Sequence, residues 1–367
     1  MQWKLFSAPL LFILLSCNGE NFNLKLSQIV WRHGDRAPLI EYPTNPHASY
    51  WKQGIGQLTQ LGMRQHYELG KYFQTRYNGF ISSHYFHQQI YLMAANIDRL
   101  IESAQSDMAG WFPPTDWQIF EKNLSWQPIP IHITEASEIM LNVHWNHCPT
   151  WVDQNKIVTS QPDYVATVKE ATPMMEYLQK YMEIPVGFQS NLNYVADLFL
   201  CDKIHNLTEP EWFKEGVNYD QLQYYSKYYL MRCFETPVQQ VVTGGTVLYD
   251  IRESLINFTS KEDTMANNVI VYSGHDVTII PVSKLLGVFN NQMVPYAAAL
   301  ILELYDDQNA DNYVKISYKN ETDHDPYVLK MPSCGNQEYC PLETFLTLTE
   351  DKVLKYDKWD EYCQIKT

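Results

Sequence analysis

The sequence predicts an α/β protein with a mostly parallel sheet, helices on both faces of that sheet, and an inserted, mainly helical cap. Short apolar runs typical of buried strands alternate with stretches of helical periodicity over the first 134 residues, which is the pattern of a helix-covered parallel sheet. From residue 135 to 245 the spacing of Trp, Tyr, Met and charged residues is helical, and strand-like runs return only after it. We therefore expect a core of residues 20–134 and 246–367, and a cap of residues 135–245.

The first half of the core supplies two strands and two helices. Residues 26–31 are continuously apolar and predict a buried strand, and Thr59 is placed to cap a helix that extends to Tyr77. Residues 89–95 predict a second strand. A helix is then expected over 99–111, because Pro113 and Pro114 would end it.

The second half of the core begins after a pair of glycines. Gly244 and Gly245 predict a break before a helix over 247–258. Residues 269–273 predict a strand that leads into a helix beginning at Asp276. Residues 298–305 and 313–318 then resemble a hairpin, because a polar run joins them.

Composition excludes some classes of function. The chain has 367 residues, 45% of them hydrophobic, which is enough for a packed core and excludes general disorder. Its formal net charge is −15. Nucleic acid is therefore not an expected partner, because binding a phosphate backbone requires a basic face.

The amino terminus predicts secretion. Lys4 precedes a short apolar stretch and small residues, so residues 1–19 are typical of a secretory signal peptide cleaved near Gly19. A bacterial lipoprotein signal around Cys17 is the weaker alternative. The carboxyl-terminal residues 352–367 contain no apolar segment, so we expect no stable membrane anchor and an extracellular or lysosomal lumenal protein.

The cysteines and sequons agree with that compartment. Six cysteines remain after Cys17, an even number that suggests three disulfides, although six cysteines allow fifteen pairings. Zinc binding is disfavoured because no two of them have the short spacing of a zinc site. The four Asn-x-Ser/Thr sequons are candidate glycan sites: Asn123, Asn206, Asn257 and Asn320.

The most informative segment follows the first predicted strand. Residues 32–38 read Arg-His-Gly-Asp-Arg-Ala-Pro, which places His33 between the guanidiniums of Arg32 and Arg36 at a strand end, where α/β sheets bind ligands. Guanidiniums present planar, permanently charged donors to an oxyanion. A neutral imidazole among them could attack an electrophile that carries negative oxygens. The segment predicts a phosphate site with its own nucleophile, rather than a solvated basic loop.

Two further segments repeat this arrangement. His275 and Asp276 follow the strand at 269–273 and precede a helix, whose amino terminus favours an anion. Asp276 could instead be only a helix cap. Arg99 also follows a predicted strand, and a surface ion pair with Asp98 is its alternative interpretation.

These segments resemble the histidine acid phosphatase family, a branch of the phosphoglycerate mutase-like histidine phosphatases. The likeness covers nearly all of the chain after the first two dozen residues and is greatest to the secreted animal members of the prostatic and lysosomal type. Besides residues 32–38, it rests on the motifs at residues 57–59, 62, 69–70, 98–99, 103–104, 112–114, 126–130, 273–276, 295–297 and 320–322.

The resemblance implies a mechanism without a metal or other cofactor. His33 would form a phosphohistidine, and Asp276 would protonate the departing alcohol. The phosphoryl group would be held by Arg32, Arg36, Arg99 and His275.

The resemblance also implies disulfides and a homodimer. It pairs Cys148 with Cys363 and Cys334 with Cys340. The usual partner of the Cys201 position falls near Ala299, which leaves Cys201 to pair with Cys233. Trp126 and His132 match positions at the subunit contact of related dimers.

The sequence as a whole predicts a secreted acid phosphatase that hydrolyses small phosphate monoesters. A phytase-like phosphatase is a close alternative, although the modest number of Lys and Arg residues, 27 in all, argues against a highly anionic substrate. A non-catalytic secreted glycoprotein with the same fold is the alternative from another class. Every expected catalytic position is filled, which argues against it.

Overall fold

A computed structural model describes residues 22–260, 267–320 and 324–365. The predicted signal peptide, residues 1–19, lies outside the described residues. Seven strands are described: β1 (Asn23–Arg32), β2 (Ile90–Ala94), β3 (Val269–Gly274), β4 (Ala299–Asp306), β5 (Asn312–Lys319), β6 (Tyr327–Leu329) and β7 (Cys340–Pro341).

Helices surround the sheet and form the cap. They are α1 (Gln60–Arg76), α2 (Asp98–Trp111), α3 (Glu135–Leu141), α4 (Pro149–Thr159), α5 (Pro162–Met182), α6 (Leu192–Ile204), α7 (Glu211–Gly216), α8 (Tyr219–Arg232), α9 (Pro237–Ser260), α10 (Asp276–Leu285), α11 (Leu342–Thr349) and α12 (Trp359–Tyr362).

The strands form one sheet in the order β2-β3-β1-β4-β5-β6, with β7 beside β5. Pairing is parallel among β2, β3 and β1, and antiparallel from β1 through β4 and β5 to β6. The α/β prediction is confirmed. Parallel pairing belongs to the half of the sheet whose strands end at the motifs, whereas the predicted hairpin β4–β5 extends the other half.

Alternate side chains of the strands point to two separate hydrophobic layers. In β1, Leu26 and Val30 join the layer beneath α9 and α10, while Ile29 and Trp31 join the layer beneath α1 and α2. This two-residue period is that of a strand buried on both faces. The helices therefore cover both faces, as predicted.

The predicted break at Gly244 and Gly245 is wrong, because α9 continues through both glycines. A Cβ on Gly244 would lie 2.8 Å from the backbone nitrogen of Val282 and 2.9 Å from the carbonyl carbon of Pro281, both in α10. The glycine allows two helices to approach closely, and the hydrophobic contacts of α9 maintain the helix at a residue that would weaken an isolated one.

The predicted cap divides between two hydrophobic layers. Helices α3 and α4 pack on the layer shared with α9 and α10. Helices α5 to α8 instead enclose their own apolar cluster, which includes Leu178, Leu198, Phe213 and Leu222. The boundaries 135–245 stay a prediction, but the segment with its own core begins at α5.

The disulfides confirm two predicted pairs and contradict the third. Cys148 is bonded to Cys363, and Cys334 to Cys340. The expected Cys201–Cys233 bond is wrong, because both thiols are free and buried. The two thiols lie in different apolar clusters: Cys201 packs near Ala37 and Trp51, whereas Cys233 lies in the layer beneath α9 and α10.

Candidate active site

The motifs meet at one edge of the sheet because three parallel strands end together there. Arg32, the last residue of β1, pairs with Gly274, the last residue of β3, and Ala94 at the end of β2 pairs with Ser273. The backbone nitrogen of His33 donates to the carbonyl of Gly274 at 3.0 Å. The strand register therefore brings together segments that are more than 200 residues apart in the sequence.

His33 is buried and held as a neutral imidazole. Its Nδ1 lies 2.8 Å from the carbonyl oxygen of Gly34, which can only accept, so Nδ1 carries the proton and Nε2 keeps its lone pair. Burial, followed by the charges of Arg32, His275, Arg36 and Arg99, holds the pKa of His33 well below its ordinary value of 6.5. Nε2 therefore remains unprotonated in acid solution, which is what a nucleophilic imidazole requires.

Gly34 fixes the loop that carries His33 because no side chain would fit at this position. A Cβ there would lie 2.4 Å from the carbonyl oxygen of Gly62 in α1, and a Cβ on Gly62 would lie 2.1 Å from the carbonyl oxygen of Asp35. The nitrogen of Gly34 donates to Oγ of Ser103 in α2 at 3.1 Å. Both helices of one face thus hold the loop against the strand end.

Four donor nitrogens in this site are buried without a hydrogen-bond partner: Nε of Arg32, Nε of Arg36, Nε of Arg99 and Nε2 of His275. A buried polar group left unpaired costs about 1–3 kcal/mol. Three of these four groups are guanidiniums, and a bound anion is the kind of partner that would satisfy such donors.

The three guanidiniums are held in different ways. Nη1 of Arg32 donates to the carbonyl of Val294 at 2.5 Å, and its guanidinium carbon lies 4.1 Å from the ring centre of Tyr296. Arg36 forms a bidentate pair with Asp197 of α6, at 2.8 and 2.9 Å. Burial and the repulsion of Arg36 lower the pKa of Arg99 to about 10, which still leaves it charged.

His275 and Asp276 begin helix α10. Burial and the charge of Arg99 lower the pKa of His275 to about 3, so its imidazole is neutral. Oδ2 of Asp276 lies 3.3 Å from Nη2 of Arg32, and Oδ1 accepts from the nitrogen of Val277. Burial alone would raise the pKa of Asp276, but Arg32 and then His275 outweigh burial and lower it. The carboxylate therefore accepts from the first turn of the helix, whose N-cap is His275, and also faces the guanidinium of Arg32.

Asp35, the acidic residue of the motif, points away from this donor group. Its Oδ2 accepts from Oγ1 of Thr59 at 2.5 Å and from Nε2 of His205 at 2.7 Å. Nδ1 of His205 lies 2.9 Å from the hydroxyl of Tyr50. This chain of contacts ties the loop to the end of cap helix α6, which agrees with a positioning role for Asp35.

The structure brings His33, Asp276, Arg32, Arg36, Arg99 and His275 to this one edge. Sequence analysis missed Asp197, His205 and Tyr296 as neighbours of the motif. No local pattern marks Asp197 or His205; the only available signal was a charged residue, Asp197, within the mostly apolar run of α6. Tyr296 stood in one of the matching segments, but nothing there indicated its contact with Arg32.

His66, which has no motif around it, is also part of the support. It is fully buried, and its Nε2 lies 3.0 Å from the carbonyl oxygen of Arg32. Burial lowers the pKa of His66 to about 4, so it is neutral and donates to that carbonyl. This hydrogen bond holds the end of β1, next to His33, in place.

Within the described ranges, no group of three or more His, Cys, Asp or Glu side chains is arranged to hold a metal ion. Among the same residues, no helix is both long and apolar enough to cross a membrane.

Comparison with known protein families gives one match that covers most of the chain. The profile of the histidine phosphatase superfamily (branch 2) matches residues 23–319. Human lysosomal acid phosphatase is 31% identical over 347 residues, which cover 94% of this chain and 81% of that protein. Mouse prostatic acid phosphatase is 33% identical over 354 residues, which cover 94% of this chain and 90% of that protein.

Solved structures with the same fold are more distant in sequence. A Citrobacter braakii phytase aligns with a TM-score of 0.69 at 16% identity, covering 94% of this chain and all of that one. A Hafnia alvei phytase in complex with tartrate aligns with a TM-score of 0.66 at 18% identity, covering 94% and 99% of the two chains. At these identities the likeness concerns the fold.

Proposed function

The chain belongs to branch 2 of the histidine phosphatase superfamily, and from that premise we propose that it is an acid phosphatase that hydrolyses phosphate monoesters through a phosphohistidine on His33. The family and the acid phosphatase relatives support a phosphomonoesterase. The observation that carries the residue assignment is the set of four buried, unpaired donors on the same residues that act electrostatically on His33.

The first step forms a covalent intermediate. Nε2 of His33 attacks phosphorus, and the bond between phosphorus and the alcohol oxygen breaks. The proton stays on Nδ1, which donates to the carbonyl of Gly34 and fixes the ring with the lone pair of Nε2 available. The low pKa of His33 keeps the nucleophile unprotonated at acid pH.

The four donors bind the phosphoryl oxygens in this proposal. Arg32, Arg36, Arg99 and His275 would replace their missing partners with oxygens of the substrate. Charge spreads over those oxygens in the transition state of phosphoryl transfer, so fixed cations stabilise it without a metal ion.

Asp276 supplies the proton that the alcohol needs. In the empty site Arg32 and His275 hold its pKa low. A bound phosphate dianion competes for the same charges and raises that pKa, so proton uptake accompanies substrate binding. Asp276 then protonates the departing alkoxide and, as a carboxylate, takes a proton from the water that attacks the phosphohistidine. Phosphate leaves, and His33 is regenerated.

Secretion or delivery to a lysosomal lumen is part of the proposal. The two disulfides support it, because such bonds persist in oxidising compartments. Asn123, Asn206 and Asn257 are exposed and therefore the better candidates for glycans, whereas Asn320 is half-buried.

Exposed Trp117 and Phe120 add apolar surface to the segment that contains Trp126 and His132, which supports a homodimer.

The direct test is hydrolysis of p-nitrophenyl phosphate at acid pH in the presence of EDTA. We expect full activity with the chelator, and much lower activity on phytate than on simple monoesters. Activity that disappears with EDTA and returns with zinc or magnesium would contradict the metal-free mechanism. No hydrolysis by the folded, secreted protein would favour the non-catalytic alternative.

A further inference from the structure

Helix α6 of the cap contacts the loop that carries the nucleophile at two points. Asp197 in the middle of the helix binds Arg36, and His205 directly after it binds Asp35. Both contacts are at least half-buried. We propose that Asp197 is a positioning residue that selects which edge of the Arg36 guanidinium faces the phosphate, an inference that rests on the proposed phosphatase function.

The guanidinium of Arg36 donates three hydrogen bonds. Nη1 donates to Oδ2 of Asp197 at 2.8 Å and also to the carbonyl of Ala37 at 3.1 Å, while Nη2 donates to Oδ1 of Asp197 at 2.9 Å. The outer edge of the guanidinium, between Nη1 and Nη2, is thus fully used by the cap. Nε is buried and unpaired.

A guanidinium can hold an oxyanion through either of two edges. Because Asp197 occupies the edge between Nη1 and Nη2, the edge formed by Nε and the remaining hydrogen of Nη2 is left for phosphate. Without Asp197 only the contact of Nη1 with the carbonyl of Ala37 would hold the guanidinium, and its outer edge would compete for the same anion. Asp197 therefore determines the angle at which Arg36 meets the phosphoryl group.

Asp197 also offsets the electrostatic repulsion between the neighbouring guanidiniums of Arg36 and Arg99. Burial would lower the pKa of Arg36, but the charge of Asp197 outweighs burial and raises it well above the ordinary value. Arg36 lowers the pKa of Arg99, and Asp197 acts in the opposite direction on Arg99. Removing this negative charge would increase the net positive charge of the site while loosening one of its donors.

These two effects have opposite consequences for binding and for catalysis. Extra positive charge strengthens the binding of a ground-state anion. A misdirected donor weakens stabilisation of the transition state, which depends on fixed geometry. In Asp197→Asn we therefore expect kcat to fall by about tenfold or more, with inorganic phosphate inhibiting as strongly as in the wild type or more strongly.

The experiment measures kcat, KM and phosphate inhibition for Asp197→Asn and Asp197→Glu. The Glu variant keeps a bidentate carboxylate and should regain part of the lost kcat. Asp163→Asn is the matched control, because Asp163 also pairs with an arginine of the cap, Arg232, at 3.2 Å but has no contact with the motif. It should leave kcat, KM and phosphate inhibition unchanged.

A second arm asks whether Asp197 acts through Arg36. In an Arg36→Ala background, Asp197→Asn should cause little further loss of kcat, because the group that it positions is absent. The same fold-loss in both backgrounds would overturn the inference, and so would wild-type kcat in Asp197→Asn. A fall in kcat that only matches the fraction of unfolded protein, together with weaker phosphate binding, would also overturn it. The effect of the substitution would then be merely structural. Failure of the wild type and the Asp163→Asn control to hydrolyse monoesters would instead contradict the proposed function.

Discussion

The sheet edge and the cap contribute to the same site in different ways. At the edge, Arg32, His33, His275 and Asp276 lie in two short segments, and the register of β1 with β3 places those segments side by side. In the cap, Asp197 of α6 and His205, directly after α6, contact the same loop, with no sequence pattern in common. In the proposed mechanism the edge supplies the reacting groups, and the cap supplies the contacts that orient them.

This difference shows how each region constrains the sequence. A strand that leads directly into a catalytic residue needs particular residue types at fixed spacing, because neighbouring backbone positions determine where the side chains point. A helix that packs over the site needs only one suitable side chain in approximately the right place. We therefore expect substitutions at the edge to affect chemistry most and those in the cap to affect geometry or stability.

The largest effect is expected for His33→Ala, which removes the nucleophile. Turnover of every phosphomonoester should fall by about 10⁴-fold or more, the scale seen when a catalytic nucleophile is lost. The steady-state rate on p-nitrophenyl phosphate measures it. His87→Ala is the matched control, because His87 is exposed and precedes the amino end of β2, at the opposite end of the strand. Residual activity within tenfold of wild type would remove His33 from the mechanism.

Asp276→Asn should separate two substrates. An alkyl phosphate should lose about 10²–10⁴-fold in rate, whereas p-nitrophenyl phosphate should lose much less, because its leaving group needs little protonation. The ratio of the two rates in the variant and the wild type is the measurement. Equal losses on both substrates would reduce Asp276 to a helix cap or positioning group, and a silent variant would separate this motif from the chemistry.

Arg99→Ala tests the third guanidinium of the proposed phosphate site. It removes one charge-assisted contact to the phosphoryl group, so kcat/KM should fall by about 10²-fold. Arg64→Ala provides the control, since Arg64 is exposed on α1. If Arg99→Ala retained full activity, its unpaired Nε would have no part in binding phosphate.

Anion binding should strengthen as the pH falls. Burial and neighbouring cations lower the pKa of His275 to about 3, and Arg32 outweighs burial and lowers that of Asp276. A bound dianion raises these pKa values, so binding takes up protons between the lowered and the raised values. Affinity for sulfate, which stays dianionic, should therefore increase by up to about tenfold per pH unit below neutrality. A calorimetric titration that gives pH-independent affinity would contradict this coupling.

The smallest effect concerns the cap. Because Cys201 and Cys233 are free and buried, protein that starts at residue 20 should release two reactive thiols when unfolded without a reductant. Cys201→Ala should keep activity within about twofold and cost about 1 kcal/mol of stability. If the unfolded protein released no reactive thiols, the Cys201–Cys233 disulfide expected from the sequence would be present after all. A large loss of activity in Cys201→Ala would give Cys201 a role at the site.

Sequence analysis was most successful where spacing is local. The helix after Thr59, the helix that starts at Asp276 and the strand before Arg32 were all predicted, because caps and apolar runs act over a few residues. It was wrong at Gly244, where close packing against α10 outweighs the low helix propensity of glycine. It was wrong at Cys201 too, because an even number of cysteines says nothing about distances in the fold. Asp197 was missed because its contact with Arg36 likewise depends on distances in the fold, which no local pattern shows.

The central claim is that His33 carries the phosphoryl group, and a chemical quench tests it most directly. Protein mixed with radiolabelled p-nitrophenyl phosphate and stopped within one turnover should hold label that is stable in alkali, lost in acid, and confined to the peptide that contains His33. The Asp276→Asn variant should also form this intermediate with the same substrate. Label on another residue, or turnover with no labelled protein at any time, would contradict the account.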